Sequence, residues 1–357
     1  MKILDPIFNV YDRFHNLVSR PLKHTPINEK HWGARLVSAL ILILIVLQLV
    51  LGFLWNREPA SFNVVENAAR ISREHHEDMV TGYITTATLI RVAETLLDKP
   101  GGFLANDRLP PAVFMDNIPN WELGVMEQIR DMNLALRNDF SRSQSQSVDD
   151  KDVIAAENHF RINTNSWIFP AAESEYQDGI DSLYRYLHRL TDENQEDAQF
   201  YTRADNLNNW LGLVEKRLGS LSQRLSSSVG QERINTDLAG DASAKQSTPG
   251  ARVMMTKTPW RKIDDVFYRA RGSAWALNEF LKAIEVDFQD VLRKKNALIS
   301  LKQIIRELDA TQETVWSPMI LNGGGFGLFA NHSLVMANYI SRANAAVIDL
   351  RDLLKQG

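Results

Sequence analysis

The sequence predicts an all-α protein: one N-terminal transmembrane helix followed by an elongated antiparallel helical bundle with coiled-coil-like seams. Three observations carry this. Residues 36–55 form a run of 20 residues with no formal charge. Three later segments place apolar residues at alternating spacings of three and four. Only 18 Gly and 12 Pro occur in 357 residues, too few for a turn-rich β protein, and no stretch reads as a strand.

The apolar run, LVSALILILIVLQLVLGFLW, spans about 30 Å as a helix, the thickness of a hydrocarbon core. Fifteen of its residues are Leu, Ile, Val or Phe, together worth about -6 kcal/mol toward insertion. Trp32 and Trp55 bracket it at the positions of interfacial aromatics. The run is too long and starts too late for a cleaved signal peptide, and Trp55-Asn56-Arg57-Glu58 offers no small-residue cleavage site. It reads as an uncleaved anchor. Residues 1–35 carry Lys2, Arg13, Arg20, Lys23, Lys30 and Arg35 against Asp5, Asp12 and Glu29. This positive bias places the N-terminus in the cytoplasm and residues 56–357 on the far side of the membrane. Within the arm, Ile7, Val10, Tyr11, Phe14, Leu17 and Val18 share one helical face, the pattern of a short helix lying on the leaflet or packing on a partner.

Beyond Pro59, Asn63 and Glu66 form an N-x-x-E capping pair opening a helix to about Asp98, stopped by Lys99-Pro100-Gly101-Gly102. Helices follow at about 120–142, 149–163 and 171–191. In 200–225, Phe200, Ala204, Leu207, Leu211, Val214, Leu218, Leu221 and Leu225 repeat at 4-3 spacing without a miss, the seam of a helix packed at a shallow angle on another. Residues 226–257 lose periodicity and read as a flexible loop. Thr258-Pro259 then opens a second seam from Ile263 to Leu298 that only Lys295 interrupts, predicting one helix of about 50 residues to Gln312. Met336, Ile340, Ala343, Val347, Leu350 and Leu354 form the third seam, in a helix over about 333–355.

Chemistry is scarcer. With no cysteine, disulfides, thiol nucleophiles and thiolate-bound metals are excluded. A net charge of -4 argues against a nucleic-acid partner. His75, His76 and Glu77 are metal-ligand types, but adjacent helical residues point about 100° apart and the H-E-x-x-H spacing is missing. No cofactor motif, nucleophile elbow or P-loop is present. The glycine-rich segment 322–327 before a helix admits three readings: a reversal between helices, an anion cradle, or a docking loop. The flanking Met319, Ile320, Leu321, Phe326, Leu328 and Phe329 make it unusually apolar. Ser/Gln-rich stretches at 141–147 and 220–228 read as solvated helix ends or as groups facing one another.

The phrases GGFLANDRLPP (101–111), NWELGVMEQIRDM (120–132), FYTRADNLNNWL (200–211), RLGSLSQRLSSSVG (217–230) and FANHSLVMANYISRANAAVIDLRDLL (329–354) resemble a proteobacterial inner-membrane family known as a domain of unknown function. The likeness covers nearly the whole chain. It implies one N-terminal anchor and a bacterial setting, and it brings no activity, ligand or catalytic residue. The expected role is a non-enzymatic scaffold or adaptor of an envelope complex, with the lipid bilayer and other envelope proteins as partners and a homo-oligomer as one possible assembly. A ligand-binding sensor bundle is the first alternative, and an envelope hydrolase or its regulator the second.

Overall fold

The computed structural model describes residues 32–142, 148–192, 198–234, 253–317, 319–325 and 327–356. The proposed N-terminal arm, Phe326 and most of the serine/glutamine stretch 141–147 lie outside them. The chain forms two units, 1–51 and 52–357.

The first unit contains most of helix α1 (Trp32–Trp55), whose apolar side chains face outward. By length and composition α1 meets the requirement for a membrane span, a test that a signal sequence also passes.

The second unit is helical: α2 (Val64–His75), α3 (Tyr83–Asp98), α4 (Asn117–Ala135, ending in a π-helical turn to Phe140), α5 (Lys151–Phe160), α6 (Ala172–Thr191), α7 (Ala204–Ser226), α8 (Ile263–Asp287), α9 (Gln289–Lys294), α10 (Leu298–Ala310) and α11 (His332–Lys355). Asn63 caps α2 as the sequence indicates, its side chain accepting from Val65 N and Glu66 N. The expected single helix 63–98 is, however, two. His76 takes a left-handed conformation (φ 57°) and ends α2, and Gly82 (φ 87°) starts α3. Gly82 is also a close approach, since a Cβ there would run into the Phe200 ring.

The expected 50-residue helix also breaks, into α8, α9 and α10. Asn296 lies at φ 53° and the Ala297 N–H reaches back to Leu292 O at 2.8 Å, a helix-ending turn. The break falls where Lys295 interrupts the seam. Phe288, Leu292, Ala297 and Leu301 all stay buried across it, so the apolar row continues while the backbone turns. A second correction concerns 226–257. Strands β1 (Gln231–Ile234) and β2 (Val253–Thr256) pair antiparallel, Gln231 opposite Thr256. Alternation in such short segments is too weak to register against the polar background.

Three helix pairs run antiparallel, as their matched residues show. In α7 and α11, Ser222 bonds Ala337 O while Asn208 and Glu215 meet Arg351. In α5 and α6, Asp150 and Asp152 meet Arg189 while Phe160 lies on Gly179. In α8 and α10, Asn278 meets Asp309 and Glu285 meets Lys302. The predicted seam residues Leu207, Leu211, Val214, Leu218, Leu221 and Leu225 are all buried, as are Met336, Ile340, Ala343, Val347, Leu350 and Leu354. At the centre α4 crosses α8 through Gly124 and Gly272, where a Cβ would strike the carbonyl oxygens of Arg269 and Trp121 respectively. Trp121 and Trp275 pack beside this crossing, ring centroids 5.1 Å apart. A second aromatic cluster joins Phe140, Phe200, Trp210 and Phe288.

Candidate functional site

The metal-ligand types of 75–77 do not converge. His75 is exposed, its ring 5.5 Å from Tyr184. His76 serves as the left-handed helix end. The Glu77 carboxylate accepts from Tyr83 OH at 2.9 Å and lies 3.1 Å from His188 Nδ1, a neighbour 111 residues away. No group of three or more His, Asp or Glu able to hold a metal occurs among the described residues. A polar groove over α2 and α3 holds Arg70, Arg91, Glu94 and Asp98. These four charges pair with each other or with Glu74, and Tyr184 OH donates to Glu94 at 2.7 Å.

The 311–331 loop is organised differently. Its glycine segment folds as a bridged turn. Asn322 pairs with Asn331, Gly323 N donates to Ala330 O at 3.0 Å, and His332 N donates to Leu321 O at 2.9 Å. Gly325 supplies the positive φ of 81°, and a Cβ at Gly323 would meet the Phe329 carbonyl. At the start of α11 the Asn331 side chain already accepts from Leu334 N at 2.8 Å. The His332, Leu334 and Val335 N–H groups of the first turn are thus in use, and the reversal reading fits the turn. His332 Nδ1 accepts from Leu321 N at 3.2 Å, which fixes its tautomer, and partial burial holds the imidazole below its usual pKa. It clamps the loop.

Beside this turn lies a cavity of about 310 Å³, bounded by Phe267 and Arg271 of α8, Thr311 and residues 313–317, and His332, Val335, Met336 and Tyr339 of α11. Most of its wall is carbon, and Trp316 stands at its edge, 92% exposed. Of the apolar loop residues read as a docking surface, Met319, Leu328 and Phe329 are exposed, while Ile320 and Leu321 are half-buried and hold the turn to the bundle. Phe326 lies outside the described residues.

Arg271 fixes this wall. Its guanidinium is buried and donates to Glu58 Oε2 (2.7 Å) and to the carbonyls of Thr311 (3.0 Å), Gln312 (3.1 Å) and Glu313 (2.8 Å). Burial raises the Glu58 carboxyl and Arg271 opposes the rise. One side chain therefore ties the cavity loop to the segment three residues past Trp55. Sequence reading missed Arg271 and Trp316. Arg271 is one of three cations in its helix, with Arg269 and Lys282, and Trp316 is an isolated aromatic in an aperiodic loop. The first could have been flagged, because an Arg next to a buried seam position needs a partner.

No curated protein and no solved structure matches the chain. A family model described as an uncharacterised protein conserved in bacteria (DUF2333) matches residues 27–357, and the chain belongs to that family.

Proposed function

We propose that this protein is a membrane-anchored, non-enzymatic helical scaffold or adaptor of a bacterial envelope complex. In this reading residues 36–55 hold it in the inner membrane with the N-terminus cytoplasmic, and residues 56–357 work in the periplasm. The observation that carries the reading is the apolar cavity with exposed Trp316 at its edge, in a loop that further along exposes Met319, Leu328 and Phe329. A carbon-lined depression with an exposed indole at its edge, on a loop that exposes further aromatic and Met side chains, is what a partner protein's apolar anchors fit. Arg271 and the His332 clamp hold that depression in shape before any partner arrives.

The test is photo-cross-linking in intact cells from a benzophenone amino acid at position 316 or 328, compared with position 299 on α10. One discrete adduct from 316 and 328, absent from 299, supports docking at this loop. No adduct from either loop position overturns it. Alkaline phosphatase fused after Gly357 checks orientation and is active if the C-terminal unit is periplasmic.

A second reading, a sensor-like bundle taking a small apolar ligand, draws on the cavity volume, which lies at the lower end of the small-molecule range. A ligand bound only by the folded state raises Tm, so a thermal-shift screen distinguishes it from protein docking.

A further inference from the structure

One apolar loop of the second unit packs on Gly52 and Trp55, and a second is hydrogen-bonded to it. Pro111 Cβ is 3.6 Å from the position a Cβ would take on Gly52. The Trp55 indole lies over Gly101, 2.8 Å from its Cβ position, and joins a small cluster with Leu104, Ala112, Met115 and Ile118. Asn106, in the same loop, donates to Ser166 O at 2.8 Å and so holds the 166–170 loop alongside. The buried Lys99–Glu122 pair fixes this assembly from beneath, the Glu122 carboxylate accepting from Leu104 N and Ala105 N at 2.7 to 3.0 Å.

Both loops turn their largest apolar side chains outward. Leu109, Val113 and Phe114 (82%) are exposed on one, and Trp167, Ile168 and Phe169 (96%) on the other. Phe169 does so at φ 53°, a conformation that costs free energy in a bulky residue and persists only where its surroundings impose it. Arg57 and Arg108 are exposed beside Trp55 and Leu109. Tryptophan, phenylalanine and arginine next to an emerging membrane helix are the residue types of a lipid–water interface, with rings at the headgroup level and guanidinium groups on phosphate.

We propose that the loops 109–114 and 167–169 form an interfacial seat, by which the second unit rests on the bilayer that holds its own anchor. The proposal depends on the anchor reading above. The occupant is lipid because the first loop is packed about Gly52 and Trp55, the last turn of the apolar helix, and holds the second through Asn106. A surface at that point meets headgroups as soon as α1 spans the membrane.

The absence of cysteine makes the test direct. Phe114→Cys, Phe169→Cys, Ile299→Cys and Leu44→Cys would each be labelled with a nitrobenzoxadiazole dye in the full chain, reconstituted one copy per lipid nanodisc. All four side chains are exposed, so labelling leaves the core intact. Ile299, at the far end of α8 where Lys302 meets Glu285, is the aqueous control. The expected result is blue-shifted emission at 114 and 169, quenched by lipids brominated high on the acyl chain, and unquenched aqueous emission at 299. Quenching at 44 with aqueous emission at 114 and 169 overturns the seat and leaves the anchor standing. A blue shift at 114 and 169 without lipid quenching marks contact with protein and also overturns it. Aqueous emission at 44 overturns the anchor and the seat together.

Discussion

Lys99 Nζ lies 2.5 Å from Glu122 Oε1, and both side chains are removed from water, 2% and 0% exposed. Lys99 also bonds the Gly102 carbonyl, and Glu122 accepts two backbone N–H groups. This pair joins the proline-rich segment after α3 to α4. Buried pairs gain little over an apolar replacement, but they cost heavily when one partner is removed, which makes them effective at fixing one arrangement.

The pair predicts a pH dependence. Desolvation pushes the Glu122 carboxyl up to about 7, against the opposing pull of Lys99 and the two N–H donors. Between the unfolded value near 4.5 and about 7 the native state keeps a proton that the unfolded chain has released. Stability is therefore greatest below pH 4.5 as far as this group is concerned, and falls by about 2–3 kcal/mol as pH rises through 7. Glu58, Glu279 and Asp287 are raised by burial too and tilt the curve the same way. Urea unfolding in detergent at pH 5 and 7.5 should show the decline. Glu122→Gln removes the titrating carboxyl and mimics its protonated form, so it should keep most of the low-pH stability and flatten the slope. Parallel profiles for the two proteins would refute the assignment.

The crossing of α4 and α8 predicts a contrast among glycines. Gly124→Ala or Gly272→Ala forces a methyl into a backbone carbonyl, and no flexible side chain can yield. Each should cost about 2–4 kcal/mol in denaturation midpoints through overpacking. Gly219 in α7 has only Asn344 Nδ2, at 3.7 Å, beside its Cβ position. Gly219→Ala should be neutral or stabilising by up to about 1 kcal/mol, since alanine favours a helix interior.

Much of this architecture is legible in the sequence because helix packing writes itself as periodicity. The seams of α7 and α11 lie on the buried faces: every seam residue from Leu207 to Leu225 and from Met336 to Leu354 is buried, while Ala204 is half-buried and the faces also take in Trp210 and Ala337. Breaks are harder to read. His76 and Asn296 end helices by adopting positive φ, which residue types that favour turns only weakly signal. The site was half legible. The apolar character of 319–329 marked the loop, but the cavity wall is completed by Arg271 and Tyr339 from two helices 68 residues apart, a meeting no local pattern encodes. Glu77 and His188 pair across 111 residues for the same reason.

Arg271 should behave as the keystone of the cavity. Arg271→Ala leaves Glu58 without its cation and three carbonyls without donors. The expected cost is about 3 kcal/mol. Amide exchange in 311–331 should accelerate by more than that in α7, because the loop loses its tether first. Arg271→Lys should recover little, since one ammonium cannot reproduce a planar fork that reaches four oxygens. Equal acceleration everywhere would mean that Arg271 supports the whole bundle and not the loop.

Trp316 separates stability from docking. At 92% exposure it contributes almost nothing to the core, so Trp316→Ala should leave the unfolding midpoint within about 0.5 kcal/mol of the parent. If the cavity receives a partner's apolar side chains, that indole closes over them and shields them from water. Its loss should then weaken capture by about 2 kcal/mol, roughly 30-fold in Kd, as for an aromatic anchor at an interface. Trp260, 80% exposed at the start of α8, is the matched control, and Trp260→Ala should leave capture unchanged. Both variants would be titrated against the partner recovered from the position-316 cross-link, with the full chain in nanodiscs. Equal weakening by both substitutions would place the contact across the end of the bundle. No weakening by Trp316→Ala would remove the cavity rim from the interface.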